Sequence, residues 1–222
     1  MNIQGTRVTV VAGPYGSGKT EVAINLALSL ARSGKRVLLA DLDIVNPYFR
    51  SREKSRELQS AGVEVIANPA QCADADIPAL SAQVFSLFHR PGTHGIIDLG
   101  GDAAGAKIMA RFHPQLVHCE SRFWFVLNAN RPQCNRVPLA LSQIKSIEHS
   151  LGVPLDGLVN NSHLCEKTCS ETLRSGISFA QSVSRASGLP LVYHTMENRF
   201  IEHFEPCDLL FPINRYMKKA WE

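Results

Sequence analysis

The segment Gly13-Pro14-Tyr15-Gly16-Ser17-Gly18-Lys19-Thr20 joins a short apolar, β-branched run, Arg7–Ala12, to an amphipathic stretch, Lys19–Arg32. A strand that turns at once into a helix begins a βα unit, and such units build parallel sheets covered by helices. The segment fits the spacing G-x-x-x-x-G-K-[ST] in the context that gives the spacing meaning, after a strand and before a helix. Glycines let backbone N–H groups turn towards phosphate oxygens, and the first helical turn adds positive potential. Lys19 reaches the β- and γ-phosphates of a nucleoside triphosphate, and the Thr20 hydroxyl can ligate magnesium. Gly13 through Thr20, with Glu21 behind them, are therefore the expected nucleotide-contacting residues.

The rest of the chain continues the alternation. Strands are expected at Arg36–Ala40, Val63–Ile66, Gly95–Asp98, Phe123–Leu127, Leu155–Asn160 and Pro190–Tyr193, and helices at Ile77–His89, Arg136–Leu151 and Glu171–Ser187. This predicts an α/β, three-layer P-loop NTPase fold, with a mostly parallel central sheet flanked by helices, formed as a single domain over residues 1–222. The segment from Ile201 to Glu222 mixes Pro206 and Pro212 with the basic, apolar run INRYMKKAWE. A docked terminal helix is the expected reading, with a membrane-surface or partner-binding helix as its alternative.

Composition excludes several classes. The net charge of +3 is small and the Lys and Arg residues are scattered, so no nucleic-acid partner is expected. No run reaches the roughly 18 apolar residues of a membrane span, and the N-terminus lacks a leader pattern; a cytoplasmic protein without an integral membrane segment is expected. The cysteines at 72, 119, 134, 165, 169 and 207 are expected to be reduced thiols, since a chain with 45% hydrophobic residues needs no disulfide framework.

A magnesium-phosphate site also needs carboxylates at neighbouring strand ends. Asp41 and Asp43 end the strand RVLLADLD, and Asp98 ends HGIID, with Asp102 four residues on. Thr20, Asp43 and Asp98 are the expected metal-associated residues. Asp98 is expected to hold the metal's waters, and Asp43 or Asp102 to position an attacking water beside Lys19. For Asp41, a strand-end carboxylate bonded to nearby backbone is the equal alternative.

In this order the motifs resemble the deviant P-loop ATPases of the MinD/ParA and nitrogenase iron protein group, along nearly the full chain. Asp98-Leu-Gly-Gly-Asp102 and Gly157-Leu-Val-Asn-Asn-Ser-His163 are similar to that group's D-x-x-G-D and G-L-x-x-N-S-R segments. The resemblance implies switch segments at Asp43–Arg52 and Asp98–Ala106, an adenine contact from Asn161, and a loop near the base around His194 to Glu197. No N-K-x-D guanine signature follows the strand ending near Asn160, so ATP, with ADP as product, is expected over GTP.

Pro14 departs from the group's pattern, where a lysine reaches the nucleotide of an opposing subunit; proline brings neither charge nor a backbone donor. Arg50, Arg52 and Arg131 are alternative cations, or ordinary surface arginines. Cys72 resembles one ligand of the nitrogenase-type bridging cluster, but Gly105 takes the place of the second, so no such cluster is expected. His163, Cys165 and Cys169 lack separated ligand pairs and read as buried cysteines beside a loop histidine, with metal binding as the alternative. Tyr48 and Phe49 either present an aromatic surface to a partner or pack on the core.

The expected activity is a slow switch ATPase, a hydrolase in which magnesium-ATP drives homodimerisation or binding of an unidentified protein partner. An ATP-dependent synthetase or amidase acting on a small carboxylic acid, and an ATP-binding protein without turnover, are the alternatives.

Overall fold

The computed structural model describes residues 6–42, 55–67, 84–100 and 112–217. The strands are β1 (Val8–Ala12), β2 (Arg36–Asp41), β3 (Val63–Ala67), β4 (Thr93–Asp98), β5 (Ser121–Leu127), β6 (Gly157–Asn160), β7 (Leu191–Glu197) and β8 (Leu210–Ile213). They form one sheet in the order β3-β2-β4-β1-β5-β6-β7-β8, parallel at every pairing. The helices are α1 (Lys19–Arg32), α2 (Ser55–Ser60), α3 (84–89), α4 (His113–His118), α5 (Val137–Leu151) and α6 (Ser170–Ser187).

Both faces of the sheet are covered, which is why its central strands are almost continuously apolar. Val8, Val10 and Ala12 of β1 point to one side, where they join Phe112, Ala140, Ile144 and Val183 from the α4, α5 and α6 regions. Val11 points to the other, towards Ile24, Leu26, Ala27 and Leu30 of α1 and Leu58 of α2. Ten of the fourteen α1 residues are buried, more than a helix with one covered face would show. The C-terminal segment supplies the second cover, since Phe211, Ile213, Tyr216 and Met217 pack in the α1 cluster.

That segment is where sequence and structure part. Among the described residues of Ile201–Glu222 there is a strand, β8, and no α-helix, and Asn198–His203 form a short 3-10 helix. Pro212 hid the strand. It is exposed between buried Phe211 and Ile213, on the sheet's last strand, the position where a missing N–H costs no ladder bond. The segment around His194 to Glu197, expected as a loop, is the second half of β7. Its polar residues His194 and Thr195 are buried and satisfied by hydrogen bonds to β6 residues.

One buried polar pair gives the fold a pH dependence. His94 of β4 lies against Thr9 of β1, with Nε2 3.2 Å from the hydroxyl oxygen. Burial, and then Lys35, push its pKa down to about 4. An unfolded histidine titrates near about 6.5, so below that pH the unfolded state gains a proton that the folded state refuses. The contribution is whole above about pH 6.5 and is lost as pH falls towards about 4. Denaturant titrations from pH 7.5 to 4.5 should show stability falling with acid, and His94→Gln should make that slope shallower by up to ~1.4 kcal/mol per pH unit, one proton's worth.

Candidate functional site

β1 lies between β4 and β5, so the chain leaves it towards one half of the sheet and later returns to build the other. Crevices at such a reversal, outside the carboxyl ends of the strands, are where ligands bind in these sheets. The loop 13–18 occupies that place. Gly18 caps α1 in the left-handed conformation, φ 86°, and a Cβ on it would lie 2.2 Å from Asn161 Nδ2. Both the backbone angle and the contact demand glycine. Gly13 has a similar need, since its Cβ would lie 2.6 Å from Val126 O.

Lys19 is buried, and its Nζ donates to Pro14 O at 3.2 Å. The Ser17 N–H donates to the same carbonyl, also at 3.2 Å, so Pro14 closes the loop through its acceptor although it has no donor. Tyr15 is 63% exposed, pointing away from the loop's packed side. The N–H groups of Lys19, Thr20 and Glu21 open the helix and have no acceptor within it.

The Thr20 hydroxyl donates to Asp98 Oδ2 at 2.6 Å. Asp98 ends β4, in register with Val11 of β1 and Asp41 of β2. Asp98 and Asp41 are 1% and 3% exposed. A hydroxyl that donates its proton keeps lone pairs for a cation. Ser17 Oγ is buried without a hydrogen-bond partner among the described residues. A glycine cradle and an orphan hydroxyl on the loop, beside a hydroxyl–carboxylate pair between α1 and β4, fit a phosphate chain with its magnesium.

Asn161 ties this loop down. Its Nδ2 donates to Ser17 O at 2.8 Å, its Oδ1 accepts from the Thr195 hydroxyl at 2.6 Å, and its backbone N–H donates to Leu127 O at 2.8 Å. One side chain thus joins the loop to the ends of β5, β6 and β7. Beside it, His163 accepts the Cys165 N–H on Nδ1 at 3.2 Å, which leaves the proton on Nε2. That nitrogen is 3.4 Å from where a Gly18 Cβ would be. Burial, with Arg131 and Arg215 next, pushes the His163 pKa down to about 4, so the ring is neutral at neutral pH.

Arg131, from the turn after β5, is no free surface cation: its Nε donates to Gly16 O at 2.7 Å. Glu21 turns its carboxylate away from the loop and accepts the N–H groups of Tyr216 and Met217; burial raises its pKa against the pull of those bonds and of Arg215. Cys165 is half-buried and Cys169 exposed, not the buried pair expected. Cys165 Sγ lies 3.6 Å from His163 Nδ1, whereas Cys169 pairs with Thr172. Among the described residues no group of three or more His, Cys, Asp or Glu is placed to hold a metal ion. Asp43, Asp102, Arg50, Arg52, Tyr48, Phe49, Cys72 and Gly105 lie outside the described residues, as do Asp43–Arg52 and the greater part of Asp98–Ala106.

Over residues 8–189 the chain matches the CobQ/CobB/MinD/ParA nucleotide binding domain family. The chain belongs to that family. Among curated proteins, none matches it. Solved structures share the fold. Signal recognition particle receptor FtsY from Elizabethkingia anophelis, in complex with GDP, is similar at 19% identity and TM-score 0.57, over 86% of this chain and 57% of that one. FtsY from Thermotoga maritima gives 21% and 0.57, over 94% and 65%. The 54 kDa signal recognition particle protein from Aeropyrum pernix, with GDP, gives 19% and 0.55, over 84% and 40%. This chain therefore spans less than two thirds of each. Membership makes it a P-loop nucleotide-binding domain, and no helix among its described residues is long and apolar enough to cross a membrane.

Thr195 and Arg131 are parts of this site that sequence reasoning passed over or left open. A signal for Thr195 existed: His194 and Thr195 interrupt an otherwise apolar strand run, and buried polar residues need partners. Asn161→Ala leaves Ser17 O without its side-chain donor and the Thr195 hydroxyl with only its longer bond to Asn160 O, and should cost about 2 kcal/mol in urea denaturation. Thr195→Val should cost less, and the double variant should fall short of the sum, showing one shared network.

Proposed function

We propose that this domain is a magnesium-ATP-binding switch ATPase, coupling ATP binding and hydrolysis to homodimerisation or to binding a protein partner. The observation that carries the reading is the Thr20–Asp98 hydrogen bond of 2.6 Å beside the buried Lys19. It joins the helix start that would hold the phosphates to the strand end from which the second switch departs. A γ-phosphate gained or lost there acts on both at once.

In this reading the first-turn N–H groups of α1 bind the phosphate oxygens and Lys19 exchanges its contact with Pro14 O for the β- and γ-phosphates. Thr20 and Asp98 would hold magnesium, which when bound would supply charge neutralisation on the phosphate chain. Asp43 or Asp102 orients a water in line with the γ-phosphate, and attack breaks the bond to the β-phosphate oxygen, leaving ADP and phosphate. The absence of an N-K-x-D sequence around Asn161 supports ATP, although two of the structural relatives were solved with GDP. Asn161 uses one N–H on Ser17 and one oxygen lone pair on Thr195, so an N–H remains to meet an adenine nitrogen.

Pro14 favours a second reading, binding without turnover, because no cation from this position can cross to an opposing subunit. Phosphate release and light scattering separate the two. The switch requires slow, magnesium-dependent release together with a change of mass or partner affinity between ATP and ADP. Thr20→Ala should abolish the magnesium dependence, and Lys19→Ala should weaken ATP binding by about tenfold or more, the loss of one charge-assisted contact. ATP unchanged after long incubation, with no change of state, would leave only a binding protein.

A further inference from the structure

Glu21 and Asn25 stand one turn apart on α1, and both are committed to the far end of the chain. Asn25 Nδ2 donates to Asn214 O at 2.9 Å, and Asn214 N–H donates back to Asn25 Oδ1 at 2.8 Å, so the side-chain amide stands in for a neighbouring strand. Glu21 follows with its two oxygens, Oε1 accepting the Tyr216 N–H and Oε2 the Met217 N–H at 3.1 Å. Asn198 Nδ2 holds Asn214 Oδ1 at 2.9 Å, and Arg215 lies 3.6 Å from Glu166. Tyr216 and Met217 pack on the α1 side of the core. These contacts tie residues 214–217 to the phosphate-loop helix, its apolar surroundings, and the turns after β6 and β7.

Glu21 is also the residue directly after Thr20. Its backbone N–H is among the three that open α1 towards the phosphates, while its carboxylate holds the segment. No hinge separates the two functions, because both belong to one residue in the first turn of a buried helix. Arg215, in the middle of the segment, is close enough to His163 to depress its basicity, and His163 packs on Gly18. The segment is therefore held by the residue that follows the loop, Glu21.

We propose that Glu21 is a positioning residue that makes residues 214–217 a working part of the nucleotide site, so that nucleotide binding and docking of this segment stabilise one another. The proposal rests on the nucleotide-binding reading above. Reciprocity fixes its form: whatever factor nucleotide adds to docking, docking adds to nucleotide affinity. Glu21→Ala leaves two backbone N–H groups without their acceptors, and with them the register of the segment.

The test is amide hydrogen exchange at Tyr216 and Met217, with and without magnesium-ADP, read beside a calorimetric titration of the same protein. Nucleotide should slow exchange at both amides by about fivefold or more. Glu21→Ala should remove that slowing and weaken magnesium-ADP by a similar factor, with Glu21→Gln, which keeps one acceptor oxygen, between the two. Asn25→Ala, which loosens the same segment one turn away, should shift affinity in the same direction, and it carries the test if Glu21→Ala fails to fold. Exchange that ignores nucleotide in the wild type, or variants that free the segment at unchanged affinity, would make Glu21 a structural anchor only and overturn the proposal. A wild-type protein that binds no nucleotide would instead overturn the functional reading on which it rests.

Discussion

The bond from Asn161 Nδ2 to Ser17 O, 2.8 Å long, is the constraint on which the rest of the site depends. A phosphate-binding loop is a run of backbone with its N–H groups turned inward, and something must hold the outward carbonyls. Here Asn161 holds Ser17 and Arg131 holds Gly16. The Gly18 contact that excludes a side chain is with the same Asn161 nitrogen. Loop, β5 turn, β6 end and β7 are therefore set by one small polar cluster, buried where an unmade bond costs most.

The carboxylates extend this ordering to the other half of the sheet. Asp98 and Asp41 are brought side by side by the parallel register of β2 and β4, and Thr20 reaches across from α1 to Asp98. Two buried carboxylates at neighbouring strand ends, one of them bonded to the helix start, fit a cation beside a phosphate chain. Pro14 modifies it without dismantling it, because the contribution of this residue to the closed loop is a carbonyl, which Lys19 and the Ser17 N–H both use. What proline removes is a charge directed outward.

The core of this account was legible in the sequence because its signals are local. Arg7–Ala12 followed by GPYGSGKT and the periodicity of Lys19–Arg32 gave strand, loop and helix, and the helix bounds agree with the structure. Asp41 and Asp98 end β2 and β4 as the same logic expected, while Asp43 and Asp102 lie outside the described residues. What stayed hidden depends on contacts distant in sequence. Nothing near Glu21 or Asn25 announces that residues 214–217 will bind them, and Pro212 disguised β8 by obeying a rule that holds for inner strands and relaxes at an edge. The strand half of β7 at His194 to Glu197 was concealed by polar residues whose partners, Asn160 and Asn161, lie at and just past the end of the neighbouring strand.

The central claim, a loop built for magnesium-ATP in a CobQ/CobB/MinD/ParA-family domain, is tested most directly by calorimetric titration of the same protein with magnesium-ATP and magnesium-GTP. Residues after Asn161 run Ser162, His163, Leu164, with no acidic side chain at the place where N-K-x-D proteins carry the aspartate that reads guanine. The account predicts ATP binding at one site per chain, at least about tenfold tighter than GTP, or ~1.4 kcal/mol. GTP binding as tightly as ATP, or more so, would contradict it.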